Sequence, residues 1–90
     1  MPRRVRIQEL IWTDETVQKL WDKHQVETWE VEDVVFGDES AKDHWSRSRR
    51  HGRRLFVHGR TRGGRRLLVI LRPVNQSRGI WRCASAWDDA

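Results

Sequence analysis

Residues 53–72 read RRLFVHGRTRGGRRLLVILR, and the fold follows from how this stretch divides. Its first part alternates: Arg54, Phe56 and His58 fall on one side of an extended chain, Leu55 and Val57 on the other. Thr61-Arg62-Gly63-Gly64 predicts a hairpin turn, because paired glycines accept the positive φ that such turns require. Residues 66–72 predict a second strand, almost wholly apolar and therefore central in its sheet. Pro73 is expected to end it, residues 75–79 to turn, and residues 80–87 to form the last strand. With Leu55, Val57, Leu67, Val69 and Leu71 packed inward, the pleat turns Arg54, Phe56, His58, Arg66 and Arg72 to the opposite face. Leu68 and Ile70 share that second face and need cover.

Upstream, Val5, Ile7 and Ile11 alternate with Arg6, Gln8 and Leu10, which predicts a first strand ending near Trp12. Thr13 then offers a helix cap, and Asp14 and Glu15 suit the positive end of a first turn. Val17, Leu20, Trp21 and His24 recur at helical spacing, so a helix is expected over about Asp14–His24. A second, shorter helix is expected after Thr28, with Val31, Val34 and Val35 inward and Gly37 as its stop. Residues 38–48 fit either a loop or an edge strand around His44 and Trp45. The expected architecture is α+β: two N-terminal helices packed on a small antiparallel sheet.

Ninety residues are expected to form one domain, residues 1–90. The single Cys83 reads as a small buried hydrophobe, and no Cys/His cluster has zinc spacing, so neither metal nor cofactor is expected. Of the six tryptophans, Trp12, Trp21 and Trp29 read as core, whereas Trp45, Trp81 and Trp87 are available to stack on bases or a partner. The start, Met1-Pro2-Arg3-Arg4, is followed by no apolar segment, and the longest apolar run, 67–71, is too short to span a bilayer. A soluble, cytoplasmic domain is expected.

Charge separates the two halves. Residues 1–45 hold six Lys/Arg and eleven Asp/Glu, whereas residues 46–82 hold twelve arginines, no lysine and no carboxylate. A charge run is usually solvated surface, but solvated surfaces intersperse signs to limit self-repulsion. A one-signed run of guanidinium groups points to a polyanion, most often nucleic acid, since each can grip a phosphate with two hydrogen bonds. His58, between arginines on its strand, can take or give a proton near neutral pH.

With these pieces placed, the chain resembles the BrnT family of bacterial toxins, small RelE-like ribonucleases of type II toxin–antitoxin systems. The landmarks are Trp12 before an acidic helix start, Lys23-His24-Gln25-Val26 (similar to the family's Lys-His-Gly-Val) and Val35-Phe36-Gly37-Asp38. Arg54-Leu55-Phe56-Val57-His58-Gly59, Gly64-Arg65-Arg66-Leu67-Leu68-Val69 and Arg82-Cys83-Ala84-Ser85-Ala86 complete them. After the last motif the family usually has Arg, where this chain has Trp87.

The resemblance implies metal-independent cleavage, in which the RNA's own 2′-hydroxyl attacks the adjacent phosphate while the protein orients it and offsets charge. Arg54, Arg66 and Arg82 are the candidates for that charge, expected to converge on a shared patch, with Arg72 as an outer clamp. His58 is the candidate acid or base, with Lys23 and His24 contributing from the helix end. Arg60, Arg62 and Arg65 around the hairpin turn join Arg66 and Arg72 as candidate nucleic-acid contacts. The implied partner is a small ribbon-helix-helix antitoxin, with Trp81 and Trp87 as candidate partner contacts. The competing reading is a non-catalytic nucleic-acid-binding module, or an inactive toxin homologue acting through a protein partner.

Overall fold

The hairpin forms as its alternation predicts. The computed structural model describes residues 5–89; residues 1–4, read above as a charged start, and Ala90 lie outside the described residues. In chain order the elements are β1 (Glu9–Ile11), α1 (Asp14–His24), α2 (Thr28–Glu32) running into a π-helical turn (Asp33–Gly37), β2 (Lys42–Ser48), β3 (Gly52–Arg60), β4 (Arg66–Asn75), a 3-10 turn (Gln76–Arg78) and β5 (Ile80–Asp88). The strand order is β1-β5-β4-β3-β2, so the apolar strand β4 is central, as expected. Leu55 pairs with Leu71, Val57 with Val69 and Gly59 with Leu67, and all the leucines and valines of this set are buried beneath the helices. Residues 38–48 resolve in favour of the edge strand, β2, paired antiparallel to β3 along its length.

Three expectations about the sheet need correction. Pro73 does not end β4. It pairs with Trp81, and an irregularity between Pro73 and Asn75 absorbs the missing N–H, so the strand runs on to Asn75. The first strand is shorter than its alternation suggests and pairs parallel to β5, which makes the sheet mixed. Parallel pairing is available because the whole chain between β1 and β5 serves as the crossover. The alternation of β5 also breaks once. Ile70 faces Ser85 while Leu71 faces Cys83, leaving Ala84 as a bulge that turns both Cys83 and Ala86 into the core. Burial pushes the Cys83 thiol up to about 12, so it is a packing residue.

α1 has the expected bounds. The Thr13 hydroxyl accepts from the Thr16 N–H at 3.2 Å, which caps the helix. At the other end Gln25 adopts φ +51°, the left-handed conformation that favours glycine, and its side-chain amide donates to the Trp21 carbonyl at 3.2 Å. Val31, Val34 and Val35 are buried as expected and pack with Leu20 and Val26 on the sheet. Gly59 is required beneath them: a Cβ there would stand 2.9 Å from both Val34 Cγ1 and Asp38 Oδ2. None of these helices is long and apolar enough to cross a membrane, among the described residues.

The tryptophans divide differently from their sequence reading. Trp12 packs partly buried against the core, but Trp21 is 51% and Trp29 52% exposed. On α1, Leu20 takes the centre of the apolar stripe, which leaves Trp21 at its margin. Trp81, expected at a partner surface, is 0% exposed: it points inward from β5 and donates its indole N–H to the Arg6 carbonyl at 2.9 Å.

Arg65 is the other correction. Expected to contact nucleic acid, it is instead the joint between helices and sheet. Its Nε and Nη2 donate to the two oxygens of Asp88 at 2.7 and 3.1 Å, and its Nη1 donates to Glu30 at 3.0 Å. The same guanidinium donates to the carbonyls of Gln25 and His24, closing the C-terminal end of α1. Glu30 is only 8% exposed and also accepts from the Glu27 N–H at 3.0 Å, so one carboxylate caps α2 and holds Arg65. The hydrogen bond from Arg65 holds the Asp88 carboxyl below the usual carboxylate range.

Arg65→Met is expected to cost about 2–3 kcal/mol in urea unfolding, because it strands Glu30 in a buried position. A carboxyl whose folded pKa is depressed adds stability above its unfolded pKa and loses it as pH falls through the folded value. The gap between wild type and Arg65→Met should therefore narrow on acidification.

Candidate active site on the arginine face

The face of the sheet opposite the buried leucines and valines is ordered in rows across the strands. Lys42, His58, Leu68 and Trp87 are successive partners in one row, and His44, Phe56, Ile70 and Ser85 in the next. The third row carries Ser46 and Arg54 on β2 and β3, and the paired Arg72 and Arg82 on β4 and β5. The two apolar residues that needed cover find it here. Ile70 is 3% exposed beside its partner Phe56, and Leu68 sits half-buried between His58 and Trp87.

Arg72 and Arg82 are direct cross-strand partners, an arrangement that like charges disfavour. Arg54 joins them, its guanidinium carbon 5.3 Å from the centre of the Phe56 ring, and its Nε is buried without a hydrogen-bond partner. The three line a hollow of about 630 Å³ whose far wall is α1, through Thr13, Thr16 and Lys19, with Trp87 and the Ala84 bulge also in its lining. Glu15 is the carboxylate among the lining residues. Side chains of this kind, held at fixed spacing, suit an anion with several oxygens, such as a phosphate.

The expected trio of Arg54, Arg66 and Arg82 is therefore corrected in one member. Arg72 takes the third place, while Arg66 lies across from Arg60 at the opposite end of the hairpin. Pleating explains the exchange: both are on the open face, but six residues of extended strand separate them by about 20 Å. Arg60 and Arg62 project from that far end too, where their backbone N–H groups donate to Asp38 at 2.8 Å and Asp33 at 3.1 Å.

His58 also stands apart from the arginine hollow, four residues and about 13 Å along β3 from Arg54. Its Nδ1 meets Asp89 Oδ2 at 2.8 Å, and its ring stacks on His44 at 5.1 Å between centroids. It lines a second hollow with Lys42, Arg60 and Arg66. Lys23 is exposed in the last turn of α1, and the His24 ring lies 5.9 Å from that of Trp87, whose other side lines the arginine hollow.

The imidazole inside the arginine hollow is His51, which the sequence reading passed over. His51 sits in the turn between β2 and β3, where its backbone N–H donates to the Ser48 hydroxyl at 2.9 Å. Desolvation lowers its pKa, and the positive charges of Arg54, Arg50 and Arg72 lower it further. The imidazole is thereby kept neutral near pH 7, the form that can accept a proton. Lys19 was likewise missed. Lys19 meets the arginines only through folding, and His51 lies in a turn that has no periodic pattern.

The fold has a counterpart among solved structures. The crystal structure of the Brucella abortus ribonuclease toxin BrnT matches with a TM-score of 0.69 and 23% sequence identity, covering 92% of this chain and 97% of the toxin. The chain has the BrnT fold. That places two helices on a mixed five-stranded sheet in the arrangement the toxin uses, and it bears out the α+β expectation. No protein-family model and no curated protein matches the chain.

Because the neighbouring arginines hold the His51 pKa down, Arg54→Ala is expected to raise it towards the ordinary histidine value of about 6.5 in an NMR titration of the imidazole. Inorganic phosphate bound in the hollow should raise it as well.

Proposed function

We propose that the chain is a toxin-like ribonuclease of a type II toxin–antitoxin system, which holds the RNA phosphodiester in the hollow of Arg54, Arg72 and Arg82. The observation that carries this reading is the like-charged convergence itself. Arg72 and Arg82 oppose each other beside Arg54, and a phosphate is what offsets such a cluster. The likeness to a ribonuclease toxin supports the same reading. In the reaction the RNA 2′-hydroxyl attacks its neighbouring phosphorus to form a 2′,3′-cyclic phosphate, and the 5′-oxygen leaves as a hydroxyl, taking up a proton from water. The guanidinium groups offset the negative charge that grows on the phosphate oxygens. His51 accepts the 2′-hydroxyl proton, and Lys19 stands across the hollow as a further cation. His58, oriented by Asp89, meets an adjoining part of the RNA, with the His44 and Phe56 rings between the two positions as a surface for a base.

The same hollow is where an antitoxin of the ribbon-helix-helix type would act, an acidic or amphipathic segment neutralising the arginines with Trp87 at its margin. One observation favours the non-catalytic reading: Trp87 stands where the resemblance puts an arginine. The two readings separate in one assay. Purified protein is expected to cut single-stranded RNA in the presence of a chelator, and Arg54→Ala and His51→Ala to slow cutting roughly a hundredfold with unchanged unfolding midpoints. RNA that is bound with steep salt dependence but stays intact would assign the chain to the binding class. Cutting that both variants leave unchanged would remove the hollow from the reaction.

A further inference from the structure

On the side of the molecule that carries the helices, the chemistry is reversed. Val17 and Trp21 of α1 and Trp29 of α2 flank a groove of about 370 Å³ floored by the buried Val26. Trp21 and Trp29 each leave about half of their surface in water, an expensive state for the largest apolar side chains in a small protein. One wall of the groove is preformed: Trp29 donates its indole N–H to Glu27 at 2.7 Å. An aromatic ring fixed in this way loses little freedom on binding, which is the usual character of an interface anchor.

The rim is acidic. Glu27 lines the groove, Asp22 is hydrogen-bonded to the lining Gln18 at 2.9 Å, and exposed Asp14 and Glu32 lie one helical turn from Val17 and Trp29 respectively. The two lysines of α1 are elsewhere: Lys19 lines the arginine hollow, and Lys23 is two residues, about 200°, around the helix from Trp21. An acidic rim repels nucleic acid and anionic membrane, and it complements cationic side chains.

We propose that this groove docks a positively charged amphipathic protein segment, whose apolar side chains enter between Trp21 and Trp29 while its Lys or Arg residues meet Asp22, Glu27 and Glu32. The proposal is independent of the ribonuclease reading, since the groove shares no lining residue with the arginine hollow. The test uses the full chain, isotopically labelled, with three short helical peptides as probes: one of Leu and Lys in amphipathic order, one with Glu in place of Lys, and one with Ser in place of Leu. The Leu/Lys peptide should shift the indole N–H signals of Trp21 and Trp29. Its affinity should fall about tenfold or more in Trp21→Ala and in Trp29→Ala. Both variants remove half-exposed rings, so unchanged unfolding midpoints should confirm that they fold. Raised salt should weaken the interaction, and less so in the Asp22→Asn, Glu32→Gln double variant. The proposal is overturned if the Leu/Glu or Ser/Lys peptide shifts the two indoles as strongly, or if the Leu/Lys peptide leaves them unmoved. It is also overturned if the chain alone self-associates through these residues, which would make a second copy the occupant.

Discussion

The guanidinium group of Arg65 is the constraint on which the rest of the molecule depends. A single planar fork reaches the end of α1, the capping glutamate of α2 and the last residues of β5, groups up to 41 positions distant along the chain. A charge is placed there because Glu30 is nearly buried, and a buried carboxylate needs a cation with several donors to replace its lost water. Lysine could offer a point charge but not this geometry. Once the joint is made, the helices are held against the sheet. The other arginines of β3, β4 and β5 are left to face solvent or a ligand.

What remains on the open face is a charge distribution that a merely stable protein would avoid. Arginine opposes arginine at Arg60 and Arg66, and at Arg72 and Arg82. Each opposed pair costs roughly a few tenths to 1 kcal/mol relative to neutral partners. The fold tolerates them because its stability lies elsewhere, in the buried leucines and valines between sheet and helices and in Trp81. A polyphosphate turns the same repulsion into attraction. In this sense the face stores a binding preference at the expense of the unbound state.

Two opposite chemistries result from one division of labour. The acidic half forms the helical layer, whose carboxylates hold the hairpin by its backbone N–H groups and rim the tryptophan groove. The basic half forms the sheet, whose open face is cationic and partly aromatic. The BrnT fold supplies the frame for both, and the site is the work of particular side chains upon that frame.

Local regularities were legible in the sequence. The two-residue period of residues 53–72 with its glycine turn specified the central hairpin and which of its side chains face outward. Thr13 and the apolar spacing that follows set α1, and the charge asymmetry marked the strand half as the cationic one. Tertiary structure decided what depended on distant partners. One arginine of twelve became the joint, Trp81 went inward while Trp21 and Trp29 stayed out, and the bulge at Ala84 re-aimed the end of β5. The arginine cluster needed strand register to exchange Arg66 for Arg72, and it needed a turn residue, His51, that carries no periodic signal. Periodicity is a property of neighbours along the chain, whereas a site is made by residues that only folding brings together.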